Sequence, residues 1–128
     1  MTTPLQLTVV YADEALGTSL AEQPVPLPAG AQQPTVDAPV RLPGAMGGWF
    51  ELAASFGVLG IPAGVLASCI ASWIFSAIKD RNGTQTPLPK AKLVFERGGR
   101  SVEIELTAAD PAALAEAIKG ALVHVDSE

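Results

Sequence analysis

The chain has 128 residues, 48% of them hydrophobic and 16% charged, with a formal net charge of −5. That length suits one domain with a modest core, and the acidic balance argues against a nucleic-acid partner, which needs a concentrated basic face. A single cysteine, Cys69, excludes an intramolecular disulfide framework.

The opening residues lack the basic stretch and apolar run of a signal peptide, so a cytoplasmic location is the default expectation. Leu5, Leu7, Val9 and Tyr11 alternate with Gln6, Thr8 and Val10, which predicts a strand over Leu5–Tyr11 with one face on a core. A short helix is expected from about Asp13 to Glu22, with its acids in the first turn and Gly17 interrupting it. Pro24, Pro26, Pro28, Pro34, Pro39 and Pro43 then mark 23–48 as a connector, since each lacks an amide donor and restricts its predecessor. Val36 to Leu42 is a candidate edge strand within it.

From Leu52 to Ile78 there is no charged residue. Trp49, Leu52, Ala53 and Phe56 share one helical face, and Pro62 is placed to open a second helix running to about Lys79, stopped by Asn82-Gly83. The stretch 49–81 is therefore expected to be an apolar helical hairpin. Its second helix is sorted by size: Leu66, Ile70, Ile74 and Ile78 fall four apart, flanked by Val65, Cys69 and Trp73. The opposite side carries Gly64, Ser68, Ser72 and Ser76 beside Ala63, Ala67 and Ala71. A ridge of small side chains admits another backbone, so Gly64, Ser68, Ser72 and Ser76, with Trp49 and Trp73, are the candidate interaction residues.

After Pro87 and Pro89, Leu93 and Phe95 alternate with Lys92, Val94 and Glu96, while Val102, Ile104 and Leu106 alternate with Glu103 and Glu105. Gly98-Gly99 between them predicts a two-residue hairpin turn. That register pairs Phe95 with Val102 and Leu93 with Ile104, and sets Lys92 against Glu105. Asp110-Pro111 reads as a helix start. Leu114, Ala117, Ile118, Ala121 and Leu122 follow as an apolar face that packs on the hairpin, closing a unit over 91–123.

No catalytic constellation emerges. His124 is expected beyond the last helix, Glu103 and Glu105 read as the solvated side of a sheet, and one His with one Cys cannot build a metal site. Cys69 has no base or cation near it in sequence and reads as a small hydrophobe. Glu51 reads as a charge at a helix N-terminus. The glycines at 44, 47, 48, 98 and 99 match no phosphate-binding motif. Neither a cofactor nor a catalytic residue is expected.

The order of parts carries a resemblance. An N-terminal strand, an acidic helix and a Pro-rich connector lead through Gly44-Ala-Met-Gly-Gly48 into the apolar stretch. Gly64-Val-Leu-Ala-Ser-Cys-Ile-Ala-Ser-Trp-Ile-Phe-Ser-Ala-Ile-Lys-Asp-Arg81 is followed by Lys92-Leu-Val-Phe-Glu, Arg100-Ser-Val-Glu-Ile-Glu-Leu and Asp110-Pro. Across Leu5 to Leu122 this resembles the effector-associated constant component 1 family of bacterial conflict systems. The resemblance implies a non-enzymatic component acting beside a separate effector such as a protease or an NTPase, with no active-site residues to carry over. At 23–43 the chain departs from the compact strand common in relatives.

The expected fold is α+β in one domain over 1–128. It comprises a small sheet from the N-terminal strand and the C-terminal hairpin, the central helical hairpin, and a C-terminal amphipathic helix. The function expected is an adaptor that assembles with itself, as a homo-oligomer, or with an effector. The alternative is an inner-membrane component with one span at about 57–78, because eighteen helical residues rise about 27 Å against a core of about 30 Å. Lys79, Arg81, Lys90 and Lys92 suit the cytoplasmic side of such a span. Strand Leu5–Tyr11 tells against it, since its apolar face needs a partner from the other half of the chain.

Overall fold

A computed structural model describes residues 4–12, 14–43, 48–57, 60–82, 91–106 and 110–126. The Asp13 helix start, the Gly44–Gly47 part of the glycine entry, the Gly83 stop and the prolines at 87 and 89 lie outside those residues.

The elements run β1 (Leu5–Tyr11), α1 (Glu14–Glu22), β2 (Thr35–Val36), β3 (Val40–Arg41), β4 (Phe50–Phe56), α2 (Ala63–Asn82), β5 (Ala91–Arg97), β6 (Arg100–Glu105) and α3 (Pro111–Asp126). The architecture is α+β. The sheet order is β2-β4-β1-β5-β6, with β3 also on β4, and every pairing is antiparallel.

β1 is central because it pairs with β4 on one side and β5 on the other, and its alternation sets one face on the core. Leu5, Leu7, Val9 and Tyr11 are buried while Gln6, Thr8 and Val10 are half-buried. Leu7 pairs with Ala54 on one side and Phe95 on the other; Val9 pairs with Leu52 and Leu93. The buried face continues as Leu52, Ala54 and Phe56 in β4 and Ala91, Leu93 and Phe95 in β5. Burying each large apolar side chain contributes about 1.5–3 kcal/mol.

The first half of the expected helical hairpin is corrected here. Phe50–Phe56 is a strand, and its register partner is β1 from Leu5↔Phe56 to Tyr11↔Phe50. A short apolar run satisfies helix and strand periods alike. The pairing decided the outcome, because β1 is central and needs an apolar neighbour along both edges. Glu51 accordingly lies at a strand position opposite Val10, not at a helix N-terminus.

β4 and β5 both run antiparallel to β1 and thus parallel to each other, with α2 as the crossover between them. Its twenty residues rise about 30 Å, enough to return the chain along the sheet. The apolar length that suggested a membrane span is the length of this crossover. Among the described residues no helix is long and apolar enough to cross a membrane. Leu66, Ile70 and Ile74, which a span would expose to lipid, join Leu7 and Phe95 in one core. Pro62 precedes the helix, one place before the expected position, and its carbonyl accepts the Leu66 amide at 3.0 Å.

The expected edge strand at 36–42 is present in two pieces. β2 pairs Val36 with Ala54, while β3 pairs Val40 with Glu51, so one extra residue is accommodated between them. That bulge, beside Pro39, turns Val40 away from the face Val36 shares and leaves it 58% exposed. Arg41 lies over the Phe50 ring at 6.0 Å, and Phe50 stacks on Tyr11 at 5.7 Å.

The C-terminal unit follows its sequence closely. Gly98 and Gly99 adopt φ of 59° and 85°, as a two-residue turn of the primed type requires. Phe95↔Val102, Leu93↔Ile104 and Lys92↔Glu105 are all in register. The Lys92 ammonium, however, reaches diagonally to Glu103, at 3.7 Å. Asp110 caps α3 by accepting the Ala113 amide at 2.8 Å on Oδ1. Leu114, Ile118, Ala121, Leu122 and Val125 are buried, whereas Ala117, expected on that face, is exposed. The helix continues to Asp126, so His124 sits in its last turn and not beyond it.

Candidate functional site

Helix α2 lies between α1 and α3 and sorts its side chains sharply. Leu66, Ala67, Ile70, Ala71, Trp73, Ile74, Ala77 and Ile78 are buried. Ser68, Ser72 and Ser76 are exposed, Val65 is 43% exposed, and Gly64, Cys69 and Phe75 are half-buried. The ridge of small residues therefore faces outward. The segment expected to be the first helix of the hairpin is a strand of the sheet, so it does not supply the backbone that this ridge admits. Ala67 and Ala71, grouped with the serines at the sequence level, lie on the buried side. Gly64 is at the edge of the ridge, where a Cβ would meet the Lys119 stem of α3 at an ordinary 3.8 Å.

The two candidate tryptophans part company. Trp73 is 1% exposed and donates its indole N–H to the Gln23 carbonyl at 3.0 Å, which anchors the start of the connector on α2. It belongs to the core and is not available as a contact residue. Its position, between Ser72 and Ile74 and three beyond Ile70, is the signal that could have shown this. Trp49 is half-buried just before β4, where its carbonyl accepts the Leu42 amide. Gly64, Ser68, Ser72 and Ser76 are thus brought together on one helix, while Trp49 lies apart from them on the strand entry.

The connector is held by Gln33, whose amide group both donates to the Val25 carbonyl at 2.8 Å and accepts the Val25 N–H at 3.0 Å. This clamp leaves a shallow groove of about 310 Å³ between Glu22, Pro24, Gln33 and Val36. Its lining is mostly proline, aliphatic and amide, which offers shape but no acid–base pair. Among the described residues, no three His, Cys, Asp or Glu side chains gather where a metal ion would be held. Burial pushes the Cys69 thiol above its ordinary range, the direction that suppresses the thiolate.

The sequence model of one family, Effector Associated Constant Component 1, matches residues 14–122, from the first residue of α1 to well inside α3. The chain belongs to that family. No curated protein and no solved structure matches it. The match includes α2 and the hairpin, but β1 lies before its first residue. The family's name describes a component that is associated with an effector, and this chain is such a component.

Proposed function

We propose that the chain is a non-enzymatic adaptor of a bacterial conflict or immune system, acting in the cytoplasm beside a separately encoded effector such as a protease or an NTPase. The family match over 14–122 carries this reading. The contact is assigned to the outer side of α2, where Ser68, Ser72 and Ser76 form a low surface flanked by exposed Val65 and half-buried Phe75. Small side chains let a partner helix approach closely, and the neighbouring apolar groups supply area to bury. The same surface serves self-assembly into a homo-oligomer.

The test is co-purification with the product of a neighbouring protease or NTPase gene, together with light scattering of the chain alone. Ser72→Arg introduces bulk at an exposed position, so the melting temperature stays within a few degrees while co-purification and any oligomer are lost. Retention of both complexes by Ser72→Arg would remove α2 as the contact. A measurable hydrolytic activity of the chain by itself would end the adaptor reading.

A further inference from the structure

The two edges of the sheet are built differently. The β2/β3 edge is short, bulged and interrupted by Pro39, all devices that discourage strand addition. The β6 edge has none of them. Arg100–Glu105 is a continuous strand without proline, lysine or bulge, and no strand among the described residues pairs with its outer side.

The hairpin register sets which groups that side offers. With Gly98-Gly99 as the turn, Arg100, Val102, Ile104 and Leu106 exchange backbone bonds with β5, as the Leu106 N–H to Ala91 carbonyl bond of 2.9 Å confirms at the far end. The N–H and C=O groups of Ser101, Glu103 and Glu105 consequently point outward from the sheet. Their side chains stand on the face away from the helices, with Glu96 beside them on β5 and Lys92 as the one cation of these two strands on that face. On the helix-covered face, Val102 and Ile104 touch the core but are only partly buried. An added strand would cover them.

We propose that the β6 edge accepts, by antiparallel β-addition, an extended segment of another protein that alternates apolar residues with lysine or arginine. Apolar side chains opposite Val102 and Ile104 extend the core; a cation opposite Glu105 forms an opposite-charge cross-strand pair, and one opposite Glu103 joins Lys92 on that carboxylate. A second copy of this chain is the poorer occupant. Two β6 strands related by a twofold axis would crowd four carboxylates, those of Glu103 and Glu105 from each copy, onto one strip. This surface is separate from the exposed side of α2, so either assignment stands without the other.

The probes are two short synthetic peptides, one alternating lysine and valine and one alternating glutamate and valine, added to the isotopically labelled full chain. The lysine peptide is expected to bind and to slow hydrogen exchange at the amides of Ser101, Glu103 and Glu105, while the glutamate peptide leaves them unchanged. Glu103→Pro removes an outward donor and no bond to β5, so it weakens binding about tenfold or more, which corresponds to about 1.4 kcal/mol. The double variant Glu103→Lys/Glu105→Lys reverses the preference between the peptides and keeps the test sound if the proline variant fails to fold. Absence of binding by the lysine peptide overturns the proposal, as does equal binding to Glu103→Pro. Concentration-dependent protection of the same amides without peptide assigns the edge to a second copy and overturns it too. Ser72→Arg leaves peptide binding intact, which separates failure here from failure at α2.

Discussion

The phenol of Tyr11 lies directly against Gly17, so that a Cβ at position 17 would overlap the tyrosine oxygen and ring. Tyr11 ends the central strand and Gly17 is in the middle of α1, and their contact sets how closely the helix lies on the sheet. Gly17 looked like a flaw in a helical pattern. It is the residue that makes room.

Gly17→Ala should therefore destabilise the protein although alanine is the better helix former. The propensity gain of about 1 kcal/mol is set against an overpacking cost of about 1–3 kcal/mol, plus a disturbed stack of Tyr11 on Phe50. A net loss of about 1–2 kcal/mol is expected by urea unfolding. Gly120→Ala is the control: that glycine is exposed in α3 with open space around it, and alanine there should stabilise by about 0.5–1 kcal/mol. Stabilisation by both substitutions would refute the Tyr11 contact.

Tyr11 should also make the protein sensitive to alkali. Its hydroxyl is buried without a hydrogen-bond partner among the described residues, and burial, with a smaller effect from the Glu14 carboxylate, raises its pKa above the ordinary value. The folded state thus favours the neutral phenol. This contribution is complete below about pH 10 and is lost as pH rises from there through the folded-state value. Tyr11→Phe should flatten that decline and be neutral or slightly stabilising near pH 7, because no bond is sacrificed. Tyr11 is the chain's one tyrosine, so ultraviolet titration reads it directly. A midpoint at or below the ordinary value would contradict the buried placement.

Trp73→Phe should cost about 1–3 kcal/mol, since it leaves the Gln23 carbonyl without its donor and a void in the core. Loosening of the connector should accompany the loss, measured as faster proteolysis between Gln23 and Pro34. Unchanged stability would show that the anchor is unimportant.

Cys69 should react slowly with iodoacetamide at neutral pH and faster as pH rises above the usual thiol range, because burial disfavours the thiolate. Labelling of the folded chain as fast as of a free thiol would reopen the case for a reactive cysteine.

The C-terminal unit was legible because each of its rules is local. Gly98-Gly99 sets the turn, the turn sets the register, and Asp110-Pro111 starts the helix that covers it. The large-residue ridge of α2 was equally plain in the four-residue spacing of Leu66, Ile70, Ile74 and Ile78. At β4 the local pattern is degenerate: Trp49, Leu52, Ala53 and Phe56 fit a helix while Phe50, Leu52, Ala54 and Phe56 fit the strand that forms. Gly57 closes either one. The better clue lay elsewhere, in a central strand whose second edge had no partner.

The sequence by itself determined the α+β class, β1, the hairpin with its register, the cap of α3 and the buried stripe of α2. All of these follow from contacts between residues close along the chain or from a single repeat period. Only the tertiary structure decided that 50–56 is a strand, that α2 is a crossover over the sheet, that Trp73 is core, and that the serine ridge faces outward. Those outcomes depend on which distant segments satisfy backbone hydrogen bonds and bury area together, and the local pattern is degenerate with respect to that choice.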